Sequence, residues 1–376
     1  MSDASFLELL LDGAGVEWLP LEDVAKIKHG KDWKKLGAGD IPVYGSGGVM
    51  GYVDTHSYDK PAVLIPRKGS ITNIFYVDTP FWNVDTIYYT EINISKVAPK
   101  YLYYFIKTID LMALDTGSGR PSLTQAILNR LQIPIPCPDD PEKSLRIQAE
   151  IVRILDAFTE LTTELTTELI ARKKQYNYYR EKLLTFSEGE VNHLPMGQED
   201  VGEFIRGTSL QKKDFTDTGI GCIHYGQIYT HYGTYADKTK TFVSEEFAKK
   251  ARKAQSGDLV IATTSENDED VCKTVAWLGS EDIAVSSDAC IYRHNLNPKY
   301  VSYFFQTEQF QSQKKQYITG AKVRRVNADN LAKILIPVPL PEEQARIVSI
   351  LDKFDTLTNS ISEGLPHEIE LRQKQY

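Results

Sequence analysis

QAEIVRILDAF at 148–158 and QARIVSILDKF at 344–354 are one phrase written twice, and their reading decides the fold. Each follows a proline run, IPIPCP at 133–138 and IPVPLP at 336–341. Each opens a heptad-like stretch that closes on a basic, tyrosine-ended segment, RKKQY at 172–176 and RQKQY at 372–376. The match extends upstream. Glu22-Asp23-Val24 follows Leu19-Pro20 as Glu199-Asp200-Val201 follows Leu194-Pro195, and Thr116 stands 17 residues before its IPIP as Thr319 stands before its IPVP. A period near 200 residues is too long for a solenoid, whose repeats run ~20–50 residues. It predicts two copies of a unit made of a globular domain and a helix, and a pseudo-symmetric ligand.

Working outward, apolar residues fall at Ile147, Ile151, Ile154, Phe158, Leu161 and Leu165 in alternating steps of four and three, an a/d seam. The step to Leu169 is four again, because TTEL occurs at 162–165 and at 166–169. Such a stutter locally unwinds a supercoil and adds about one turn, ~6 Å at 1.5 Å per residue. The seam resumes at Tyr176, Tyr179 and Leu183, predicting a helix over 143–186 that is ~65 Å long. The second helix should begin near Glu342, with its seam at Ile347, Leu351, Phe354, Leu357 and Ile361. Gly364 and Pro366 should break or kink it. It recovers at Ile369 and Leu371 but carries no equivalent of Asn177–Phe186, so it reads as clipped. Antiparallel pairing would bury both seams and hold a mixed α/β domain at either end. The expectation is an α+β dumbbell: a domain at 1–139, a helix at 140–187, a domain at 188–341 and a helix at 342–376.

At 376 residues the chain has room for two or three domains, each able to bury a core. No apolar run reaches the ~18 residues of a membrane span, and MSDASFLELLLDGAG lacks the basic leader of a signal peptide. Cys137, Cys222, Cys272 and Cys290 show no CxxC spacing, which fits reduced thiols, no structural metal and a cytoplasmic location. Net charge is −8, yet 26–35 carries Lys26, Lys28, His29, Lys31, Lys34 and Lys35 against Asp32 alone. The stretch 309–328 carries Lys314, Lys315, Lys322, Arg324 and Arg325 with no acid, while acids gather along the first helix. A polyanion on the domains and a protein on the helices would suit this distribution.

No catalytic signature is present. The chain has no GxxxxGK[ST], no HExxH, no GxGxxG after a predicted strand, and no Pro-Pro of the amino-methyltransferase tetrapeptide. Its domains offer glycine-flanked polar loops instead. Glycine lets a backbone approach a ligand, while basic and amide side chains donate to phosphates and base edges. The candidates in the first domain are Lys31, Lys34, Lys35, Tyr44, Ser46, Arg67, Lys68, Ser70, Asn73, Ser118 and Arg120. In the second they are Lys212, Lys213, Tyr225, Gln227, Tyr229, Thr264, Ser265, Lys322, Arg324 and Arg325. His224–Tyr229 is expected to occupy the place of the Tyr44-Gly45 loop, and Thr263–Asn267 that of Arg67–Ser70. Two readings stay open on these residues: a non-catalytic reader of nucleic acid, or a coiled-coil scaffold joining proteins.

EWLPLEDV at 17–24, IPIPCPDDPEKSLRIQAEIVRILDAF at 133–158, the TTEL tetrads, RKKQYNYYREKLLTF at 172–186 and ILDKFDTLTNSISEGLPHEIELRQKQY at 350–376 resemble the specificity subunits of type I restriction–modification systems. The likeness spans the chain and is strongest to the branch with tetrad repeats in the central helix. It implies two target recognition domains, each reading half of a bipartite site in double-stranded DNA, and helices that set the spacer and dock two modification subunits. It implies no cofactor in this chain: S-adenosylmethionine, ATP and Mg belong to the modification and restriction subunits.

Overall fold

The computed structural model describes residues 13, 15–116, 119–360 and 362–375. It is an α+β protein in two compact units, with the division between Leu161 and Thr162.

The first unit opens and closes on one ribbon. β1 (Val16–Pro20) runs antiparallel to β9 (Gln132–Pro136), Val16 facing Pro136 and Pro20 facing Gln132. Prolines are tolerated there because a two-stranded ribbon leaves one edge of each strand unpaired. A four-stranded sheet has the order β2 (Ala25–His29), β8 (Ile87–Ile92), β5 (Ala62–Pro66), β6 (Phe75–Val77). A three-stranded sheet has β4 (Gly48–Val53), β3 (Ile41–Gly45) and β7 (Trp82–Asn83). Every residue of β5, AVLIP, is buried, as a continuous apolar run predicts for a strand covered on both faces. The helices are α1 (Leu21–Val24), α2 (Pro99–Lys107), α3 (Gln125–Asn129) and the first part of α4 (Pro141–Leu184).

The second unit repeats this plan. β10 (Asn192–Pro195) pairs antiparallel with β23 (Leu335–Val338). One five-stranded sheet runs β11 (Gly202–Arg206), β21 (Ala289–His294), β17 (Leu259–Ala262), β19 (Thr274–Trp277), β14 (Tyr235–Ala236). Another runs β12 (Phe215–Thr216), β15 (Thr241–Val243), β13 (Ile220–Ile223), β20 (Ile283–Val285), β16 (Lys253–Ala254). β18 (Thr264–Ser265) and β22 (Arg324–Arg325) form a separate ribbon. Its helices are α5 (Tyr225–Thr230), α6 (Glu245–Lys250), α7 (Pro298–Phe304), α8 (Glu308–Lys315), α9 (Ala328–Leu331), α10 (Pro341–Asn359) and α11 (Gly364–Gln375). The parallel pair β3–β7 recurs as β13–β20. Where the chain leaves the first strand of that pair, the two domains diverge. β3 turns into the hairpin strand β4, whereas β13 leads into helix α5, so the segment expected as a loop at Tyr225–Tyr229 is helical.

Each long helix is held to its domain by the same polar clamp. Gln148 accepts from Ala98 N at 2.8 Å and donates to Lys96 O at 3.0 Å. Gln344 accepts from Asn297 N at 2.8 Å and donates to Pro339 O at 2.9 Å. Asp156 takes the Lys100 ammonium at 2.7 Å and the Tyr104 hydroxyl at 2.6 Å; Asp352 takes Lys299 and Tyr303, both at 2.7 Å. Tyr101 and Tyr300 donate to the strand prolines, at Pro134 O and Pro337 O. Along the seam Ile147, Ile347 and Leu351 are buried, while Ile151, Ile154, Phe158, Leu161, Leu165, Leu169, Phe354 and Leu357 are half-buried. Ile361 lies outside the described residues. Within the second unit the Tyr176 and Tyr179 rings stack on Phe354, with centroids 6.2 and 5.5 Å away. The tetrads do not interrupt α4, and the Thr166 and Thr167 hydroxyls donate back to the carbonyls of Thr162 and Thr163 at 2.7 and 2.9 Å. The second long helix ends at Asn359 and a further helix begins at Gly364. Gly364 has φ +77°, and a Cβ there would stand 2.4 Å from Thr356 O.

Candidate nucleic-acid interface

In the first domain the turn between β7 and β8 gathers the polar loops. Asn83 O accepts Lys31 N at 2.9 Å, Tyr44 O accepts Val84 N at 3.0 Å, and Thr86 O accepts Arg67 N at 2.8 Å. The Thr86 hydroxyl takes Ser46 N at 3.3 Å, and the Arg67 guanidinium reaches Asp85 O at 3.5 Å. From there Arg67 O accepts Leu123 N at 2.9 Å and Lys68 bridges to Ser122, which brings in the segment before α3. Gly69 packs so closely that an added Cβ would lie 3.2 Å from the Arg120 guanidinium and 3.3 Å from Ser46 Oγ. Asn73 donates to Ser46 O at 3.2 Å. Ser46, Arg67, Lys68, Ser70, Asn73 and Arg120 therefore share one neighbourhood. Lys31, Lys34 and Lys35 are exposed on the adjoining loop, which is anchored by Trp82 Nε1 donating to Lys31 O at 3.1 Å. Ser118 lies outside the described residues.

The second domain rebuilds the same cradle from other side chains. Val285 O accepts Thr208 N at 2.8 Å, Ile223 O accepts Ser286 N at 3.2 Å, Asp288 O accepts Thr263 N at 2.9 Å, and Thr263 O accepts Val326 N at 3.1 Å. Thr116 bonds Ser122 O through its amide and hydroxyl, both at 3.0 Å; Thr319 bonds Arg325 O likewise, at 2.9 and 3.2 Å. Gly30 and Gly207 occupy matched positions, where a Cβ would stand 2.1 Å from Val84 O and from Ser286 O respectively. The matching puts Thr264 where Lys68 stands, Arg325 where Ser122 stands and Ser287 where Asp85 stands. A cleft of about 290 Å³ opens here, lined by Arg206, Thr263, Ser287, Asp288, Thr319 and Arg325 among others. Arg206, which sequence reasoning missed, donates to Ser287 O at 3.3 Å. Lys212, Lys213, Lys322 and Arg325 are exposed, and Ser265 pairs with Arg324 in the β18–β22 ribbon.

Several of the expected contact residues also make contacts within the domain. The Tyr44 ring packs against Phe75 and Phe81, at 5.7 and 6.3 Å between centroids. Gln227 is spent on the cap of α5, accepting His224 N at 2.9 Å and donating to Thr241 at 3.0 Å. Tyr229 donates to Thr264 O at 2.8 Å and its burial pushes the phenol's pKa up, while Thr264 is buried beneath it. Tyr225 is half-buried, its ring 4.7 Å from His224. Burial, then the charge of Lys212, holds the His224 imidazole below its usual pKa. Arg324 is committed to Asp268 at 2.8 Å and to Gly320 O at 2.6 Å. Lys314 is no part of a basic surface, because its side chain is buried. Gln148, Asp156 and their partners were also missed, although Gln344 and Asp352 repeat them at the same places in the duplicated phrase.

Among the described residues no group of three or more His, Cys, Asp or Glu side chains is placed to hold a metal ion, and no helix is long and apolar enough to cross a membrane. The family model described as the type I restriction modification DNA specificity domain matches residues 14–174 and again 195–371. The chain is 36% identical over 391 residues to the specificity subunit of the type I restriction enzyme EcoR124I/EcoR124II of Escherichia coli, covering all of this chain and 96% of that one. It is 29% identical over 395 residues to the EcoprrI specificity subunit, also of Escherichia coli, covering 96% and 93%. The crystal structure of the type I restriction–modification S subunit from M. genitalium shares the fold at a TM-score of 0.59 and 15% identity, covering 97% and 94%. Two matched domains on two matched helices, in a chain that carries the family model twice along its length, make this protein a member of the type I restriction–modification specificity subunits.

Proposed function

We propose that each domain reads one half of a bipartite DNA site and that the chain does so as the non-catalytic specificity subunit of a type I methyltransferase and endonuclease. The observation that carries this reading is the pair of cradles: one backbone hydrogen-bond plan, built twice, bearing different side chains at matched places. Reading two sequences with one scaffold needs that arrangement, and a scaffold that merely joins proteins does not. Phosphate contacts fall to Lys31, Lys34, Lys35, Arg67, Lys68 and Arg120 in one domain and to Lys212, Lys213, Lys322 and Arg325 in the other. Base contacts fall to Ser46, Ser70, Asn73 and Ser265.

Residues 1–139 and 188–341 are the recognition domains in this reading, and the helical segments 140–187 and 342–376 dock two modification subunits and, through them, restriction subunits. S-adenosylmethionine, ATP and Mg act on those partners, in the cytoplasm where host DNA lies. The tetrads set the spacer between half-sites. The test is methylation mapping in a host with and without this gene, combined with gel-shift titration of the chain and its modification subunit on the mapped site. Binding should weaken steeply with salt, and deleting or adding one TTEL should change the spacer and neither half-site. Salt-insensitive binding, or an unchanged spacer, would overturn the reading.

A further inference from the structure

The loop between β17 and β19 covers residues 263–273, three residues longer than its counterpart at 67–74 between β5 and β6. Its extra length is gripped from beneath. Lys314, in the last turn of α8, is 1% exposed, and its ammonium donates to Asp268 O at 2.9 Å, Glu269 O at 3.1 Å and Val271 O at 2.9 Å. An ammonium has three donors, and all three are spent on main-chain carbonyls of one loop. The loop closes on itself above this point: Asn267 Nδ2 donates to Asp270 Oδ2 and Asp270 N to Asn267 Oδ1, both at 2.7 Å. It is tied to the β18–β22 ribbon by the Asp268–Arg324 pair at 2.8 Å. That ribbon sets Ser265 against Arg324 and Thr264 against Arg325.

We infer that Lys314 is a positioning residue for the second half-site: it fixes the 266–271 loop, and through Asp268 and Arg324 the ribbon that presents Ser265 and Arg325. This rests on the reading of that ribbon as a DNA surface. A buried cation with no carboxylate on its ammonium is a poor device for stability alone, because burying a charge is costly and an apolar side chain would fill the space. It is a good device for holding three peptide planes in one orientation, which sequence reading demands. Among the described residues the first domain has no buried lysine of this kind, so the effect is confined to one half of the site.

The test uses the chain assembled with its modification subunits, on duplexes carrying single-base changes in either half-site as mapped by methylation. Lys314→Met should reduce discrimination against changed bases in the second half-site by about tenfold, the scale of one well-made base contact. Discrimination in the first half-site should stay the same, as should both in Lys315→Met, whose side chain is exposed. Asp268→Ala cuts the tie between loop and ribbon at the surface and should give a smaller loss with the same confinement. It decides the matter if Lys314→Met does not assemble. An assembled Lys314→Met complex that keeps second-half discrimination, or loses both halves equally, overturns the inference, and so does an Asp268→Ala complex that behaves as wild type. Arg325→Ala separates the two levels: if it leaves affinity and salt dependence untouched, the ribbon is not a DNA surface and the functional reading fails first.

Discussion

Gly30→Ala tests whether the backbone cradle, and not merely the side chains on it, carries recognition. The new Cβ would meet Val84 O at 2.1 Å, Val84 C at 2.4 Å and Asn83 O at 2.5 Å, all main-chain atoms. Comfortable carbon contacts lie near ~3.5–4.0 Å, so one backbone must shift by about 1 Å or more. Overpacking of this kind costs about 1–3 kcal/mol. The segment forced to move is the one whose Thr86 holds Arg67 N and Ser46 N, so strain enters where the first domain's polar loops converge. One lost or misaligned base contact is worth about 1–3 kcal/mol, which corresponds to about 5- to 150-fold in affinity. The assay is fluorescence-anisotropy titration of the assembled complex on the cognate duplex and on duplexes altered in either half-site. Gly30→Ala should weaken binding within that range and blur the first half-site only. Gly207→Ala, which meets Ser286 O at the same 2.1 Å, should blur the second only. If Gly30→Ala lowered affinity with first-half discrimination intact, or if the two variants affected the same half-site, the two cradles would not be matched reading surfaces.

The helices give three further expectations. Burial pushes the Asp355 carboxyl above its ordinary value of 3.8, although Asn359, Thr234 and Tyr176 donate to it. Its folded pKa exceeds its unfolded one, so its stabilising contribution is present below about pH 3.8 and is lost as pH rises through the folded value. Asp355→Asn should therefore raise the melting temperature at neutral pH, with the gain shrinking toward pH 4 in scanning calorimetry; a constant difference would contradict the sign. Gln148→Ala strands the Ala98 amide, and Gln344→Ala the Asn297 amide, each bonded at 2.8 Å in the native protein. Each should cost about 1–3 kcal/mol in urea unfolding. Because the two glutamines serve separate units, the double variant should equal the sum, and a large coupling term would argue against independent clamps.

The duplicated phrase made the architecture legible because its signals are periodic and local. Proline strands, the a/d seam and the interruption before Gly364 each rest on backbone chemistry that neighbours in sequence decide. The clamps were less visible: nothing about a glutamine at 148 says that it faces Ala98, since the partner is fifty residues away and only the fold joins them. The interface was legible by loop but not by side chain. Tyr44, Gln227 and Tyr229 carry the donors and rings that suit a nucleic acid, yet each found an internal partner first. Lys314 shows the limit most plainly, since a basic run read as surface contains one lysine turned wholly inward. The helix at Tyr225–Thr230 arises where His224 and Gln227 form a reciprocal cap, a motif that glycine at 226 obscured.

The ribbons that open and close each domain have a consequence for heredity. β1 lies beside β9, and β10 beside β23, so the chain enters and leaves each domain at one spot next to its helix. A whole domain can then be exchanged by crossovers in the two short stretches that encode its ribbon, with the helices kept intact, provided the incoming domain brings the lysine and tyrosines that its helix's aspartate and strand prolines receive. New specificities would arise in such a gene by replacement of modules more readily than by gradual change of contacts.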